Sequence, residues 1–417
     1  MLAYSLRKDS QEIYFEKSIY LLLLIVAFCL PVFPKAVTFI LQAAVLLAMA
    51  DSALAGRFKM KTPASFVLLL AFVVWAGLSV LKSPDFAESF YNYKVLLPQY
   101  LVIYWLTISY VKTVKQSAGI LAALLFSAFW VSTYGVYQYF YGGTMLTSGW
   151  VDSAYFPTIK TRAFSTLYNP NILASFLVTS LALCLGGIFS RIKVSVQMLL
   201  IFLTIISAVC LVFTFSRTAW MSFLVVLLCV CVLYSYKLLY ALLPMSLLTF
   251  FLARDMIVQR FVSVFEGGDT SSLLRFALWE STMAMIRDNP LTGIGWGAYK
   301  FVYPYYDFFI NNPDVTIYHA HNMYLNIAAE TGLPGLVLFV LLLFMHLFFA
   351  LKVLKKAVCE EQKALGLGIS CVFIGILIGG ITDHTLFNME LSSIFWLISA
   401  LSFVLWQNSK KQDFNCK

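Results

Sequence analysis

The amino-acid sequence predicts an all-α polytopic membrane protein of about twelve transmembrane helices, and three observations support this fold class. Hydrophobic residues make up 61% and charged residues only 12% of the 417 residues, whereas globular domains contain about 25% charged residues. The apolar residues fall in blocks of about 16–22, long enough to cross about 30 Å of hydrocarbon. Lys and Arg are also unevenly divided between the connections on the two sides. We therefore treat residues 1–417 as a single integral membrane domain.

Apolar blocks follow one another along most of the chain. No small-residue cleavage site separates the first two, so the first block is predicted to be a transmembrane segment and not a cleavable signal peptide. The ninth block, Leu238 to Ala253, is short. The blocks begin near Ser18, Ala36, Ala64, Val95, Ala118, Asn171, Val194, Thr218, Leu238, Leu333, Ala364 and Leu391.

The charge distribution predicts how the chain is oriented. Of the 29 Lys and Arg residues, 18 fall on the side that holds both termini and 11 on the other, where five of them share one long loop. This positive-inside pattern predicts cytoplasmic N- and C-termini and an even number of spans. The net charge of +9 is thus explained by topology, and no nucleic-acid partner is expected.

Two long extracytoplasmic loops are predicted, at 141–168 and at 254–331, the second directly before the tenth span. Long loops with their own structure often carry functional residues. In the second loop, the spacing of apolar residues predicts a helix over 273–287 with Arg275 in its first turn. The segment Gly293–Gly297 predicts a flexible turn, because it lacks the preceding strand and the full spacing of a nucleotide-binding glycine loop.

The last part of the second loop combines aromatic and polar residues. Aromatic side chains over 299–309 are typical of an interfacial belt, with a sugar-stacking platform as the alternative. A short surface helix is predicted within 319–330, where Asn322, Asn326 and Glu330 recur every four residues and form a polar stripe.

Two arginines are candidates for binding an anion. Arg217 sits in a nearly loopless hinge beside the hydrocarbon, where an Arg is costly unless it faces a polar cavity or an anion; a snorkelling flank charge is the alternative. Arg275 in the first turn of a helix would oppose the helix dipole unless an anionic ligand is bound there. A solvated loop residue is the alternative for Arg275.

Histidines supply the candidate base. His321, near a helix N-terminus, suits a general base because the positive helix end disfavours its protonation. His319 is its neighbour, and Asp383 and His384 at the outer end of the eleventh span either line the same cavity or simply end a helix. Arg162 precedes an Asn-Pro-Asn run that is typical of helix capping.

No metal site is predicted. The outer loops contain no Asp-x-Asp or Glu-x-Asp pair for Mg²⁺ or Mn²⁺. For zinc, the outer side has no Cys and no convincing third ligand beside the two histidines. Positive charge at the site would then have to come from Arg side chains.

The order and spacing of these residues resemble the O-antigen ligase family, whose domain is shared with O-antigen polymerases. The resemblance covers most of the chain, through its span number, its orientation and the long outer loop before the tenth span. Its most specific fragments are Ser216-Arg217-Thr218, Arg275-Phe-Ala-Leu-Trp279, Asn289-Pro-Leu-Thr-Gly-Ile-Gly-Trp-Gly297, His321-Asn322-Met-Tyr-Leu325 and Glu330-Thr-Gly332.

The resemblance implies a metal-independent, inverting glycosyltransferase without a cofactor in the bacterial cytoplasmic membrane, acting on the outer face. The implied donor is a glycan on undecaprenyl diphosphate, and the implied acceptor is a glycan or lipid-anchored hydroxyl, such as that of a lipid A core. By position, Arg217 and Arg275 would bind the diphosphate and His321 would activate the acceptor. His319, Asn322, Arg162, Asp383 and His384 are the further substrate-binding candidates.

Two alternatives stay open. A polymerase that extends lipid-linked repeat units uses the same chemistry and differs only in its acceptor. A solute or anion transporter would show broken helices near the midplane and internal pseudo-symmetry, whereas the polar candidates here cluster at the predicted outer surface.

Overall fold

The computed structural model describes residues 2–56, 59–142, 161–240, 270–309 and 316–410, and this part of the chain is helical without any β-strand. Most of these residues belong to twelve long helices. The helices are α1 (Leu2–Val32), α2 (Pro34–Ala55), α3 (Ala64–Ser79), α4 (Phe86–Tyr110), α5 (Val114–Tyr141), α6 (Pro170–Ile188), α7 (Val194–Phe213), α8 (Arg217–Leu233), α9 (Thr270–Asp288), α10 (Met323–Lys355), α11 (Glu360–Thr382) and α12 (Met389–Lys410).

Nine helices in the described residues are long and apolar enough to cross a membrane. They are α1, α2, α3, α5, α6, α7, α10, α11 and α12. The α4 helix and the 17-residue α8 coincide with two more of the predicted apolar blocks. The ninth predicted block falls mostly on residues 241–253, outside the described ranges. The all-α membrane fold is therefore confirmed, and the count of twelve spans stays a prediction.

Helices α6 and α12 lie at the centre of the bundle, where 83% of the apolar stretch of each is buried. Glycines let α6 and α11 approach each other backbone to backbone. A Cβ at Gly186 would overlap the Ala364 carbonyl oxygen, and one at Gly368 would lie 3.1 Å from the Cα of Leu183. Small residues at such contacts are typical of helix pairs in membranes. These contacts join the end of α6 to the start of α11, so the two helices are antiparallel. The end of α11 therefore lies beside the start of α6.

One end of the bundle, away from the candidate site, is held by an ion-pair network. Lys59 Nζ lies 3.0 Å from Glu12 Oε2 and 3.1 Å from Asp51 Oδ1, and the Tyr110 hydroxyl donates to Asp51 Oδ2 at 3.1 Å. The carboxylate of Asp51 is fully buried, so these contacts supply the partners that a buried charge requires. The network connects α1, α2 and α4.

Helix α10 is broken at Gly332, whose backbone is left-handed (φ 72°, ψ 176°). The short helix expected within 319–330 is therefore the first part of α10, which begins at Met323 and resumes after the break. The turn Gly293–Gly297 packs on this break. The amide of Ile294 donates to Ala329 O at 2.8 Å, and that of Gly295 to Glu330 O at 3.1 Å.

Helix α9 packs on the segment that follows it. Leu278 and Met285 are fully buried together with Tyr299, and the Thr282 hydroxyl lies 2.7 Å from that of Tyr299. The aromatic run thus divides into buried core residues and exposed ones such as Tyr305, which is 81% exposed.

Helix α9 begins at Thr270, three residues before the predicted start. Placing Arg275 in the first turn was consequently wrong: it lies in the second turn, where the conflict with the helix dipole is weaker because the effect falls off within the first turn. The sequence over 266–272 also predicts a turn followed by helix-capping residues, and residues 266–269 of that stretch lie outside the described residues.

Candidate active site

His321 and Asp383 form the central contact of the candidate site. His321 Nδ1 lies 3.1 Å from Asp383 Oδ1. The Asp383 carboxylate also accepts the backbone N–H of His384 at 2.8 Å. Burial would raise the pKa of Asp383, but the hydrogen bond with His321 and the positive charge of Arg275 help to hold that pKa well below its usual range. Asp383 is therefore an ionised carboxylate, and it accepts a hydrogen bond from the Nδ1–H of His321.

The backbone around His321 is shaped to make this contact. His321 has a left-handed φ of 47°, which is strained for a residue other than glycine. Asn322 follows it as the N-cap of α10, and its side chain accepts the amides of Tyr324 and Leu325 at 3.0 Å each. Its amide group donates to Ile381 O at 2.8 Å, two residues before Asp383. Asn322 thus connects α10 to the end of α11 and holds His321 against Asp383.

His319 and His384 complete a cluster of imidazoles. The His319 ring lies 4.3 Å from that of His321 and 6.0 Å from that of His384, measured between centroids. The His321 backbone N–H donates to His319 Nδ1 at 3.3 Å. Burial is the main cause that lowers the pKa of His319 to about 3 and that of His384 to about 4. Both rings are neutral near pH 7, so neither adds a positive charge to the site.

Arg162 connects the start of α6 to the hinge between α7 and α8. Its Nε donates to Thr214 O at 2.7 Å and its Nη2 to Asn171 Oδ1 at 2.9 Å. Asn169 caps α6 through the amide of Asn171 at 2.8 Å, as the sequence predicts. Arg162 is thus a positioning residue for the hinge that presents Arg217.

Arg217 is the first residue of α8 and is half-buried. Phe215 in the hinge before it has a left-handed φ of 51°. Thr218, which follows Arg217, lines a small cleft together with Asp383 at the end of α11. A guanidinium at a helix N-terminus adds its charge to the positive end of the helix dipole, which makes this position suitable for an anion.

Arg275 lies close enough to His319 and Asp383 for its positive charge to affect their pKa values. Burial is the largest cause of the lowered pKa of His319, and the positive charge of Arg275 lowers it a little further. For Asp383, burial raises the pKa, the hydrogen bond with His321 lowers it, and the charge of Arg275 adds a smaller lowering. All eight residues named as candidates from the sequence fall in the described part of the chain. The structure joins His319, His321, Asn322, Asp383 and His384 directly, and it connects Arg162 to the Arg217 hinge.

Two cavities flank the His319 ring. The first, which we call the His321 cavity, has a volume of about 250 Å³ and is lined by Asn171, His319, His321, Asp383 and Phe387 among others. The second, which we call the Lys300 cavity, has a volume of about 240 Å³. The two share Tyr318, His319 and Phe387 as a common wall.

The cluster could hold a metal ion. His319, His321 and Asp383 each offer a ligand atom, and these atoms lie within 4.8 Å of one another. Asp383 is therefore the third ligand beside the two histidines, brought to them by the packing of α11 against α10. Three protein ligands are the usual number at a catalytic zinc site. A role of His321 as a metal ligand is therefore the chemical alternative to a role as a general base.

Several residues around the site were not singled out from the sequence. Lys300, in the segment that follows α9, forms an ion pair with Glu88 of α4. Trp296 lies in the wall of the Lys300 cavity, and Phe387 lies in the walls of both cavities. Trp296 belongs to the fragment Asn289–Gly297 of the family resemblance. The other three residues belong to no motif, because they come from segments that are far apart in the chain.

Comparison with known proteins supports the resemblance inferred from the motifs. Residues 202–340 match the family model described as O-Antigen ligase. The matched segment, about one third of the chain, contains Arg217, Arg275 and His321, while Arg162 and Asp383 lie outside it. No curated protein matches the chain.

Proposed function

We propose that this chain, which carries the sequence pattern of the O-antigen ligase family, transfers a glycan from undecaprenyl diphosphate to an acceptor hydroxyl, such as that of a lipid A core. The family match supports the coarser statement that it is a membrane glycosyltransferase of the O-antigen ligase or polymerase type. The observation that carries the finer proposal is the contact between His321 and Asp383 beside a cavity. This arrangement is typical of a general base held by a carboxylate.

In the proposed reaction, the acceptor oxygen attacks the anomeric carbon of the donor glycan. The new glycosidic bond forms as the bond between that carbon and the diphosphate oxygen breaks, and the diphosphate keeps the electron pair. The proton of the acceptor hydroxyl moves to His321 Nε2, and Asp383 stabilises the resulting imidazolium. A single displacement inverts the anomeric configuration.

The leaving undecaprenyl diphosphate carries the developing negative charge. Arg217 and Arg275 are the cations that we assign to it, because guanidinium groups bind phosphate oxygens through two parallel hydrogen bonds. Placing them there would stabilise charge where it develops in the transition state without a metal ion.

We place the site on the outer face of the bacterial cytoplasmic membrane, with both termini in the cytoplasm, because Lys and Arg are concentrated on the opposite side. The loops 141–168 and 254–331 would then be extracytoplasmic, and membrane lipids would surround the bundle. A polymerase acting on lipid-linked repeat units is the alternative within the same chemistry. A transporter is less favoured, because the polar cluster lies where helices begin and end.

The test is a reconstituted transfer reaction. Purified protein in detergent or liposomes is mixed with lipid-linked glycan extracted from producing cells and with either lipid A core or a lipid-linked repeat unit. We expect release of undecaprenyl diphosphate together with a longer glycan on one of the two acceptors. Absence of diphosphate release with both acceptors would reject the proposed function, and the acceptor that is extended separates ligase from polymerase.

A further inference from the structure

The Lys300 cavity has its own set of polar and aromatic walls. It lies between the start of α4, the segment from Trp296 to Lys300 and the start of α10. Its lining includes Asn92, Trp296, Lys300, Tyr318 and Asn326. The sequence candidates His319 and His384 form its boundary with the cluster.

The polar groups of this cavity carry no excess of positive charge. Lys300 is paired with Glu88, and its Nζ lies 5.7 Å from the Tyr318 ring centroid. The Glu330 carboxylate faces the backbone N–H groups of Gly297 and Tyr299 and the Asn326 amide. One cation beside two carboxyl groups is a poor site for a second phosphate, whereas an ion pair and carboxamides both donate to and accept from hydroxyl groups.

Aromatic faces complete the environment. Tyr318 is 63% exposed and Phe387 is 38% exposed, so both present ring surface at the cavity mouth. The volume of about 240 Å³ is below the about 300–1,000 Å³ of pockets for drug-sized ligands. Flat apolar rings next to paired hydrogen-bonding groups suit a single sugar ring, which has an apolar face and a rim of hydroxyls.

We propose that the Lys300 cavity binds a sugar ring of the acceptor, next to the sugar whose hydroxyl reacts at His321. This inference rests on the proposed glycosyl transfer. The acceptor is favoured over the donor because an in-line displacement brings the nucleophile to the face opposite the leaving group. Arg162 and the Arg217 hinge adjoin the His321 cavity through Asn171, whereas the Lys300 cavity lies beyond His319 on α4 and α10.

Two substitutions test the subsite through kinetics. Lys300→Ala and Asn92→Ala are each expected to raise the KM for the acceptor about tenfold, because each removes hydrogen bonds to the sugar. The KM for the lipid-linked donor is expected to stay within about twofold of the parent value. Tyr305→Ala, at an exposed position outside both cavities, is the matched control and should change neither constant.

A second measurement does not depend on turnover. The variant Asn92→Cys is labelled with a maleimide, and the modified position is identified by mass spectrometry. Saturating lipid A core or lipid-linked repeat unit, whichever the transfer assay extends, should slow labelling, while the donor alone should not. The subsite is refuted if transfer proceeds but the alanine variants keep the acceptor KM, or if only the donor protects the introduced thiol. If the parent protein releases no undecaprenyl diphosphate, the proposed function itself fails.

Discussion

His321 Nδ1 lies 3.1 Å from Asp383 Oδ1, although 62 residues separate the two in the chain. The contact joins the start of α10 to the end of α11 and assigns the tautomer of the imidazole, because an ionised carboxylate can only accept a hydrogen bond and Nδ1 must therefore carry the proton. Nε2 is then left with a lone pair that can take a proton from an acceptor. Asp383 is thus a positioning residue in the proposed chemistry.

Asp383→Asn should lower the transfer rate by roughly 10²–10⁴-fold, because an amide neither selects the reactive tautomer nor stabilises the imidazolium. The initial rate of undecaprenyl diphosphate release measures the effect. Asp288→Asn is the matched control, since Asp288 also accepts a side-chain hydrogen bond, from Tyr306 at 2.7 Å, but lies outside both cavities. Equal rates in both variants would show that the carboxylate of Asp383 has no part in the reaction.

Arg162→Lys should lower the transfer rate about tenfold at saturating acceptor. A single ammonium group cannot replace the two directed bonds from Arg162 to Thr214 O and Asn171 Oδ1, so the hinge before Arg217 would shift. The donor KM and the rate are measured together. Arg287→Lys, at an exposed position in the last turn of α9, should leave both unchanged, and an unaffected Arg162→Lys would contradict the positioning role.

A chelator separates the base from the metal alternative. EDTA should leave the transfer rate unchanged, because the proposed chemistry uses His321 as a free base. Added Zn²⁺ should inhibit, since His319, His321 and Asp383 offer ligand atoms within 4.8 Å of one another and a bound ion would occupy the base. Loss of activity with EDTA and its recovery with one divalent metal would establish a metal-dependent site instead.

Gly332→Ala should destabilise the protein by about 3 kcal/mol or more. The backbone conformation at this position is strained for alanine, and a Cβ would overlap the Leu291 carbonyl oxygen. Gly56→Ala is the comparison variant: Gly56 also has a positive φ (68°), but its ψ of 17° is the left-handed helical conformation, which costs alanine less, and nothing lies within 4 Å of its added Cβ. Thermal unfolding in detergent should therefore show a larger loss for Gly332→Ala, and equal losses would contradict the backbone strain and the overlap at Gly332.

Stability should fall as the pH is lowered from 7 to 5. Burial lowers the pKa of His384 to about 4, below its value of about 6.5 in an unfolded chain. Between these values the unfolded chain binds more protons, so stability decreases on acidification, by about 1–2 kcal/mol for this group. His384→Gln should reduce the shift in Tm between pH 7 and pH 5, and an unchanged shift would assign it to other groups.

Much of the architecture could be predicted from hydrophobicity alone. Blocks of apolar residues located eleven of the described helices, since length and composition decide whether a helix crosses a bilayer. The helix over 273–287 was also correct in kind. Its start was not, because Thr270 precedes the first apolar residue of the pattern and helix boundaries depend on capping contacts that periodicity does not report.

The site could be predicted in part. The sequence fragments that resemble the family contain Arg217, Arg275 and His321. The structure also brings together five of the predicted residues, which are His319, His321, Asn322, Asp383 and His384. What the sequence lacked was the pairing of His321 with Asp383, because this contact depends on how two helices pack. The same holds for the Lys300 cavity, whose ion pair joins residues 212 positions apart.

The packing role of Gly293–Gly297 could not be predicted from the sequence. A run of glycines suggests flexibility, but here Gly293 allows close backbone contact with Glu330, and the amides of Ile294 and Gly295 satisfy carbonyls on α10. The glycines are required by close packing, which composition does not distinguish from freedom of movement.

The break at Gly332 makes the first part of α10 a spacer of set length. Nine helical residues, Met323 to Thr331, separate the cap at Asn322 from the break, a rise of about 14 Å at 1.5 Å per residue. Each residue also turns the helix by about 100°. Adding or removing one residue there would therefore turn His321 away from Asp383 while leaving every side chain chemically unchanged, so length should be constrained in this segment more strictly than composition.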